Sequence, residues 1–320
     1  MQQRTLGNSN IKITPIIFGG WQSGKSEWVG IEDSDTIAAH KAALDAGITT
    51  FDTAEAYGGG HSESILGEAL SNRRDEIQIL TKVGAHHLKH DDVLKACDKS
   101  LERLKTDHID LYQIHWPSGS FGSAVIPIEE TMSALNKLKD IGKIRAIGVS
   151  NFTKAQIVEA SAFGAIESVQ PPYSLFWRQA EKEIQPYCVE KDLSILAYSP
   201  LAQGLLTGKF GPDHVFPQGD HRKNNKLFNG DNFARAQESL NSLTPIAAKY
   251  DVSLGQLALA WLIEQPKTSA IVGARNSEQA VQNAAAAKIT LDTSDIALID
   301  SLGKKVTDHL DINPVLWSWG

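Results

Sequence analysis

Residues 48–57, ITTFDTAEAY, decide how the rest of this chain is read. Ile48, Thr49, Thr50 and Phe51 are β-branched or aromatic, which suits a strand. Gly47 precedes them as a helix-closing residue. Asp52 ends the apolar run, and Tyr57 follows five residues later, just ahead of Gly58-Gly59-Gly60. In parallel α/β proteins chemistry is placed at the C-terminal ends of strands. An Asp at such an end and a Tyr in the loop beyond it face one cleft. Alone, the pair reads equally well as a turn cap and a packing residue; the rest of the chain shifts that balance.

Upstream, segments 4–6 and 11–13 flank Gly7-Asn8-Ser9-Asn10, a hairpin signal placed to plug one end of the repeat downstream. A short apolar strand at 16–18 comes next. Strands are then expected at 48–53, 76–83, 109–115, 144–149, 168–170, 193–199 and 269–273. Between and after them helices are expected at 35–46, capped by Asp33 or Ser34, and at 62–70, 91–104, 128–141, 153–162, 179–191, 231–249, 254–264 and 277–286. Eight strands, each followed by a helix, make a (β/α)₈ TIM barrel, an α/β fold of roughly 250 residues. The strands are rich in Ile, Val and Leu, as strands buried on both faces are. A doubly wound open sheet is the structural competitor, but no strand–GxGxxG–helix unit is present. Nothing marks a domain boundary, so residues 1–320 are read as one barrel domain with an N-terminal β-hairpin. The long stretch after strand 7, residues 200–232, carries seven Gly or Pro breaks beyond Pro200 and reads as a functional loop.

Composition narrows the function. The 320 residues are 42% hydrophobic and 22% charged, with a net charge of -7, a globular balance with no basic face for a nucleic acid. Cys97 and Cys188 have no CxxC spacing and fall in predicted helices, which favours free structural thiols over a disulfide or metal site. The N-terminus has no apolar signal segment, and no run approaches the roughly 18 apolar residues of a membrane span. A cytoplasmic monomer is the expectation, with no membrane, nucleic-acid or metal partner.

The strand ends add chemistry. Lys82 interrupts the third strand, where a buried lysine needs a partner; Asp52, on the neighbouring strand, is placed to be it. His115 ends the fourth strand, followed by Trp116. In a barrel Asp52, Tyr57, Lys82 and His115 share one rim. A tyrosine phenol ordinarily titrates near 10, and a neighbouring ammonium lowers that value. Tyr57 then acts as proton donor to a carbonyl oxygen, with His115 donating a second hydrogen bond. No side chain is an electron source, so a hydride-carrying cofactor is implied.

Over essentially its whole length the chain resembles the aldo-keto reductase family. The resemblance rests on GITTFDTAEAYGGGHSESILGEAL (47–70), LTKVG (80–84), IDLYQIHWP (109–117), KIRAIGVSNF (143–152), AYSPLAQGLLTGKF (197–210) and IVGARNSEQAVQN (271–283). It is similar to the GAR-containing branch, with bacterial members and potassium-channel β subunits. The resemblance implies a catalytic tetrad of Asp52, Tyr57, Lys82 and His115 and a reversible NADPH-dependent reduction of aldehydes or ketones to alcohols, with a small-molecule carbonyl substrate. It places the cofactor, NADPH/NADP⁺, against Gly20, Trp21, Asp52, Ser150, Asn151, Gln170, Tyr198, Ser199, Pro200, Leu201, Gly204, Lys209, Arg222, Gly273, Arg275, Gln279, Gln282 and Asn283. Ser150, Asn151 and Gln170 match the nicotinamide carboxamide contacts, and Tyr198 the stacking ring. The segment 199–204 lines the pyrophosphate, where small residues let backbone N–H groups approach. The chain departs from many relatives in carrying Gln279 where they have an arginine for the 2′-phosphate. Arg275 is the expected substitute, with Arg222 a second candidate.

Substrate contacts are expected from Trp21, Tyr57, His115 and Trp116, whereas Trp28 and Trp177 read equally as packing. The histidines His86, His87 and His90 read as an exposed loop rather than a metal site. The tail residues Trp317 and Trp319 dock somewhere the sequence does not specify. Two other function classes compete with a reductase. A cofactor-holding regulatory subunit resembles this family, but His115 argues against it. A Schiff-base aldolase using Lys82 is opposed by Asp52, which keeps the amine protonated.

Overall fold

The structure, a computed structural model, describes residues 1–320 apart from 27, 219, 312 and 314–320. Helix α1 (Asp33–Asp45) stops where Gly47 takes a left-handed φ of 95°, and the Gly47 and Ile48 amides donate to the Leu44 and Ala43 carbonyls at 2.9 Å. Glycine adopts that φ without steric cost, so the chain turns directly into the strand expected there. Neither Asp33 nor Ser34 caps α1, contrary to expectation; Glu32 occupies the cap, and Asp33 instead pairs with Lys25 at 2.8 Å and His61 at 2.9 Å.

Strands β1 (Arg4–Thr5) and β2 (Lys12–Ile13) form the antiparallel hairpin, with Arg4 opposite Ile13. The remaining strands, β3 (Ile16–Gly19), β4 (Thr50–Asp52), β5 (Gln78–Val83), β6 (Ile109–Ile114), β7 (Ile144–Ser150), β8 (Ser168–Gln170), β9 (Ser194–Ala197) and β10 (Thr268–Val272), are parallel and close into a barrel. Closure is through β10, which sets Ile271 opposite Ile17 of β3 and Ser269 opposite Leu196 of β9. The (β/α)₈ architecture read from the sequence is therefore the one present.

Helices α2 (His61–Leu70), α3 (His90–Leu104), α4 (Ile128–Asp140), α5 (Lys154–Ser161), α6 (Ile184–Lys191), α7 (Gly230–Lys249), α8 (Leu254–Ile263) and α9 (Ser277–Ala285) lie on the sequence positions expected for them, with shifted ends. In α3 the buried set Val93, Ala96, Cys97, Ser100, Leu101 and Leu104 traces one stripe of a 3.6-residue repeat. The helix expected at 179–191 is instead a single turn at Gln179–Glu181 followed by α6. Pro186 explains the break: it fits the first turn of α6 but not the interior of a longer helix. A further helix, α10 (Thr293–Thr307), follows the eighth unit and packs on α7, where Ser239 Oγ donates to the Leu302 carbonyl at 3.0 Å. The long segment after β9 contains short turns at Ala202–Thr207, His221–Asn224 and Lys226–Phe228. Trp317 and Trp319 lie outside the described residues.

Two apolar regions result. The larger fills the space between strands and helices; the smaller, inside the barrel, joins Leu6, Ile11 and Ile13 of the hairpin to Ile17, Leu80, Leu111, Ala146, Leu196 and Ile271. The hairpin is fastened at the N-terminal ends of the strands. Gly7 N–H donates to Ser194 Oγ and Asn8 N–H to Glu167 Oε2, both at 2.8 Å, and Arg4 donates to the Thr268 and Ile263 carbonyls. The hairpin is the plug that its position in the sequence implied.

In the outer region His40 is buried between Phe18 and Phe51, at ring distances of 4.2 and 5.9 Å, and burial lowers its pKa to about 4. Above pH 6.5 it is neutral whether folded or unfolded. Below that, the unfolded chain binds a proton that the native state refuses until about 4. Stability should fall as the pH drops through this window, by roughly 3 kcal/mol in total. Denaturant unfolding of wild type against His40→Gln from pH 7 to 4 checks this; the variant should show a shallower loss.

Candidate active site

Alternation along the strands carries the apolar floor upward into a polar layer. Two residues beyond Leu80 stands Lys82, two beyond Leu111 stands Gln113, and two beyond Thr50 stands Asp52; all three are buried. Lys82 Nζ lies 2.5 Å from Asp52 Oδ1, 2.7 Å from the Thr53 carbonyl oxygen and 3.3 Å from Tyr57 Oη. The two nearer partners are acceptors only, the pattern an ammonium with three protons satisfies. Burial pulls the Lys82 pKa down, and the Asp52 charge pulls back.

His115 completes the group. Its ring meets the Tyr57 ring edge-on, with centroids 5.5 Å apart. Burial, and then the Lys82 charge, hold its pKa well below the usual imidazole value. At neutral pH the ring is therefore uncharged and has one N–H to donate. The four residues singled out at strand ends thus converge at one point of the barrel mouth.

The far oxygen of Asp52 is held as well. Gln170 Nε2 donates to Oδ2 at 2.9 Å and Gln113 Nε2 at 3.3 Å, and Gln170 Nε2 also donates to Gln113 Oε1 at 3.1 Å. Gln113 is not among the residues expected from the sequence. Its signal is nonetheless there: it is the polar residue between Leu111 and His115 on the inward face of a strand. Gln170, expected as a cofactor contact, also helps fix the orientation of Asp52.

The ends of β7, β8 and β9 meet beside this group. Ser150 Oγ donates to the Gln170 carbonyl at 2.9 Å, and Asn151 Nδ2 donates to Ser150 Oγ and to the His115 carbonyl, both at 3.0 Å. Tyr198 Oη donates to Asn151 Oδ1 at 2.9 Å; burial, and then Tyr57, raise its pKa so that it stays protonated. Beyond β9 the chain strains: Ser199, Ala202 and Gln203 have φ of 52°, 48° and 56°. Each such residue costs on the order of 1 kcal/mol. Pro200, Leu201 and Gly204 lie in the same tight run.

Farther along the cleft three cations gather. Burial, and then Arg222 and Arg275, lower the Lys209 pKa; burial, and then Arg222, lower that of Arg275. Arg222 is bound by Asp220 through both carboxylate oxygens, at 2.8 and 2.5 Å. Its guanidinium lies 5.7 Å from the Trp28 ring, 5.2 Å from Phe210 and 5.0 Å from Phe216, and Arg275 lies 5.3 Å from Trp28. Among the described residues, Asp220 is the carboxylate acting on all three cations. Among the described residues these are three positive charges over one negative charge, in partly dry surroundings that fit a multiply charged anion such as a dinucleotide phosphate. Arg222, loosely placed from sequence, does join Arg275.

The adenosine-end set is only partly assembled. Gln279 Oε1 accepts the Arg275 N–H at 3.0 Å, and Asn283 Nδ2 donates to the Gly273 carbonyl at 3.2 Å. Gln282 instead spends its amide on Glu278 of the same helix, at 3.1 Å. Gly273 permits close approach: a Cβ there would sit 2.7 Å from Gln22 Oε1. Gly20 N–H donates to the Asp52 carbonyl at 2.7 Å, and half-buried Trp21 follows it.

Aromatic pairs stand around the mouth. Trp21 meets Trp28 edge-on at 5.2 Å, and Trp116 meets Phe121 at 5.1 Å. Trp177 is fully buried in the core, so of its two readings packing holds. His87 pairs with Glu55 and His90 with Asp91, each at 2.9 Å, and no group of metal-binding side chains occurs among the described residues. Cys97 and Cys188 are free and buried, which pushes both thiols up to about 12. No helix among the described residues is long and apolar enough to cross a membrane.

A barrel with this rim defines a class, and comparison with known proteins gives the family. The profile of the Aldo/keto reductase family matches residues 15–304, and the chain belongs to that family of oxidoreductases. It is 33% identical to an NADH-specific methylglyoxal reductase of Escherichia coli, covering 95% of this chain and 99% of the relative. It superposes on a glycerol dehydrogenase from Gluconobacter oxydans with a TM-score of 0.87 and 32% identity, covering 97% of each chain. It also superposes on a Klebsiella pneumoniae aldo-keto reductase in complex with NADPH, with a TM-score of 0.77 and 30% identity over 100% of both chains.

Proposed function

We propose that this protein reduces aldehydes or ketones to alcohols with NADPH, Tyr57 being the proton donor. The observation that carries the reading is the contact of the buried Lys82 ammonium with Tyr57 Oη at 3.3 Å while Asp52 holds it at 2.5 Å. A bound nicotinamide coenzyme supplies the hydride. As the carbonyl oxygen gains charge, Tyr57 gives it a proton, and the Lys82 charge stabilises the phenolate left behind. Neutral His115 donates to the same oxygen and orients the substrate. Asp52 keeps Lys82 charged and in place, and Gln113 and Gln170 keep Asp52 from turning. Such a preorganised site needs no reorganisation during reaction. Trp21 and Trp116 form the substrate walls, and the whole chain acts as one barrel domain, a cytoplasmic monomer.

Ser150, Asn151, Gln170 and Tyr198 are the residues that would hold the nicotinamide end. Ser199, Pro200, Leu201, Gly204 and Lys209 would hold the pyrophosphate, and Gly273, Arg275, Gln279, Asn283 and Arg222 the adenosine end. NADPH is favoured over NADH because Arg222 and Arg275 converge, and a relative solved with NADPH supports this, although another relative is NADH-specific. Arg275→Ala should raise KM for NADPH about tenfold or more and leave that for NADH nearly unchanged. Steady-state kinetics with both coenzymes decide it; equal effects on the two would remove the phosphate role. The activity itself is tested by coenzyme oxidation with a panel of aromatic, aliphatic and dicarbonyl aldehydes. Tight NADPH binding without turnover on any of them would overturn the reading.

A further inference from the structure

Glu55 lies between Asp52 and Tyr57, its side chain only 10% exposed. Its Oε1 accepts the Gly84 N–H at 2.6 Å and bonds His87 Nδ1 at 2.9 Å. Gly84 and His87 belong to the turn that leaves β5, two and five residues after Lys82, and the His87 N–H donates to the Gly84 carbonyl at 3.0 Å. That turn bunches an amide and an imidazole on one carboxylate oxygen. Hydrogen bonds to a charged acceptor are roughly twice as strong as neutral ones.

The segment from Asp52 to Tyr57 is otherwise sewn to β5 by backbone bonds, Thr53 N–H to Leu80 at 2.8 Å and Glu55 N–H to Lys82 at 3.3 Å. There the ladder ends. Beyond it, Tyr57 N–H donates to the Ala54 carbonyl at 3.1 Å, within the loop itself. The other side of the segment abuts Gly24 without a side chain between: a Cβ on Gly24 would sit 2.7 Å from the Tyr57 carbonyl carbon. Beside the Lys82 bonds to the Thr53 carbonyl and to Tyr57 Oη, the carboxylate of Glu55 thus ties the turn that follows β5 to the loop that carries Tyr57.

We infer that Glu55 is a positioning residue, which anchors the Tyr57 loop to the turn after β5 and so sets the distance between Tyr57 Oη and Lys82 Nζ. The inference rests on the reading of Tyr57 as proton donor. It does not require the charge of Glu55, only an acceptor of that reach. Glu55→Ala should therefore lower kcat about 10–100-fold, the scale on which sub-ångström to one-ångström misplacement acts. The NADPH dissociation constant, read by fluorescence quenching, and the melting temperature should stay near wild type. Glu55→Gln, which keeps an oxygen for the Gly84 N–H, should recover most of the turnover.

A readout independent of turnover separates this inference from the reading beneath it. Tyr57 faces Lys82, His115 and Tyr198, and its phenolate absorbance is isolated by subtracting spectra of matched Tyr57→Phe variants. In Glu55→Ala that absorbance should appear at higher pH than in wild type, because the ammonium is farther away; loss of the Glu55 charge alone, as in Glu55→Gln, acts the opposite way. An unmoved or lowered midpoint in Glu55→Ala overturns the inference, whatever the activity. So does a kcat within about twofold of wild type, a Glu55→Gln enzyme as impaired as Glu55→Ala, or a loss of coenzyme binding and melting temperature in step with kcat. Full activity in Tyr57→Phe, with the midpoint shift present in Glu55→Ala, would instead sink the proton-donor reading alone.

Discussion

Tyr57→Phe should lose about 10²–10⁴-fold in kcat while binding coenzyme as wild type does. The substitution removes one oxygen and nothing else from a ring packed against His115 at 5.5 Å and lying 4.9 Å from Lys82 Nζ. Packing around the site should persist, and Ser150, Asn151 and Tyr198 hold one another through their own hydrogen bonds. The expected signature is therefore a fall in kcat with an unchanged dissociation constant, the mark of an interaction realised in the transition state. Near-full turnover in the variant would leave His115 as the remaining donor and defeat the assignment. Stopped-flow measurement of the first turnover gives the cleanest reading, because it excludes slow coenzyme release.

Lys82→Met should cost both activity and folding. It leaves the Asp52 carboxylate buried with Gln113 and Gln170 as donors but without a compensating charge. Breaking a buried pair from one side typically costs about 3–5 kcal/mol, because the surviving charge is stranded. The two amides relieve part of that, so the lower end of the range is expected. In the double variant Asp52→Asn, Lys82→Met no charge remains, and stability should recover by a large fraction of the loss. Urea unfolding of wild type, both single variants and the double variant closes the cycle. Additive losses would mean that the two residues do not act as a pair.

How far the sequence alone reaches depends on how local the determinants are. The barrel is legible because each β/α unit carries its own period and its own punctuation, as at Gly47, where a φ of 95° ends α1. Lys82 and Asp52 are legible because a charged residue inside an apolar strand needs a partner, and the partner lies on the next strand. Gln113 escapes notice because an amide draws no such attention, although its inward parity matches that of Lys82. The short α6 departs from the longer helix expected there because Pro186 forces a restart, and α10 goes unforeseen because it stands outside the eightfold repeat. Arg222 is placed only loosely by sequence, since its meeting with Trp28 joins loops nearly 200 residues apart, a contact that no periodicity encodes.

The hairpin below the barrel has a bearing on the chemistry above it. Leu6, Ile11 and Ile13 lie beneath Leu80, Leu111 and Leu196 as part of one dry plug. Lys82, two residues above Leu80, thus has an apolar layer beneath it and the polar rim above. An ammonium on such a floor has no water to share its charge from below, so its charge is directed to the partners at its own level, Asp52 and Tyr57.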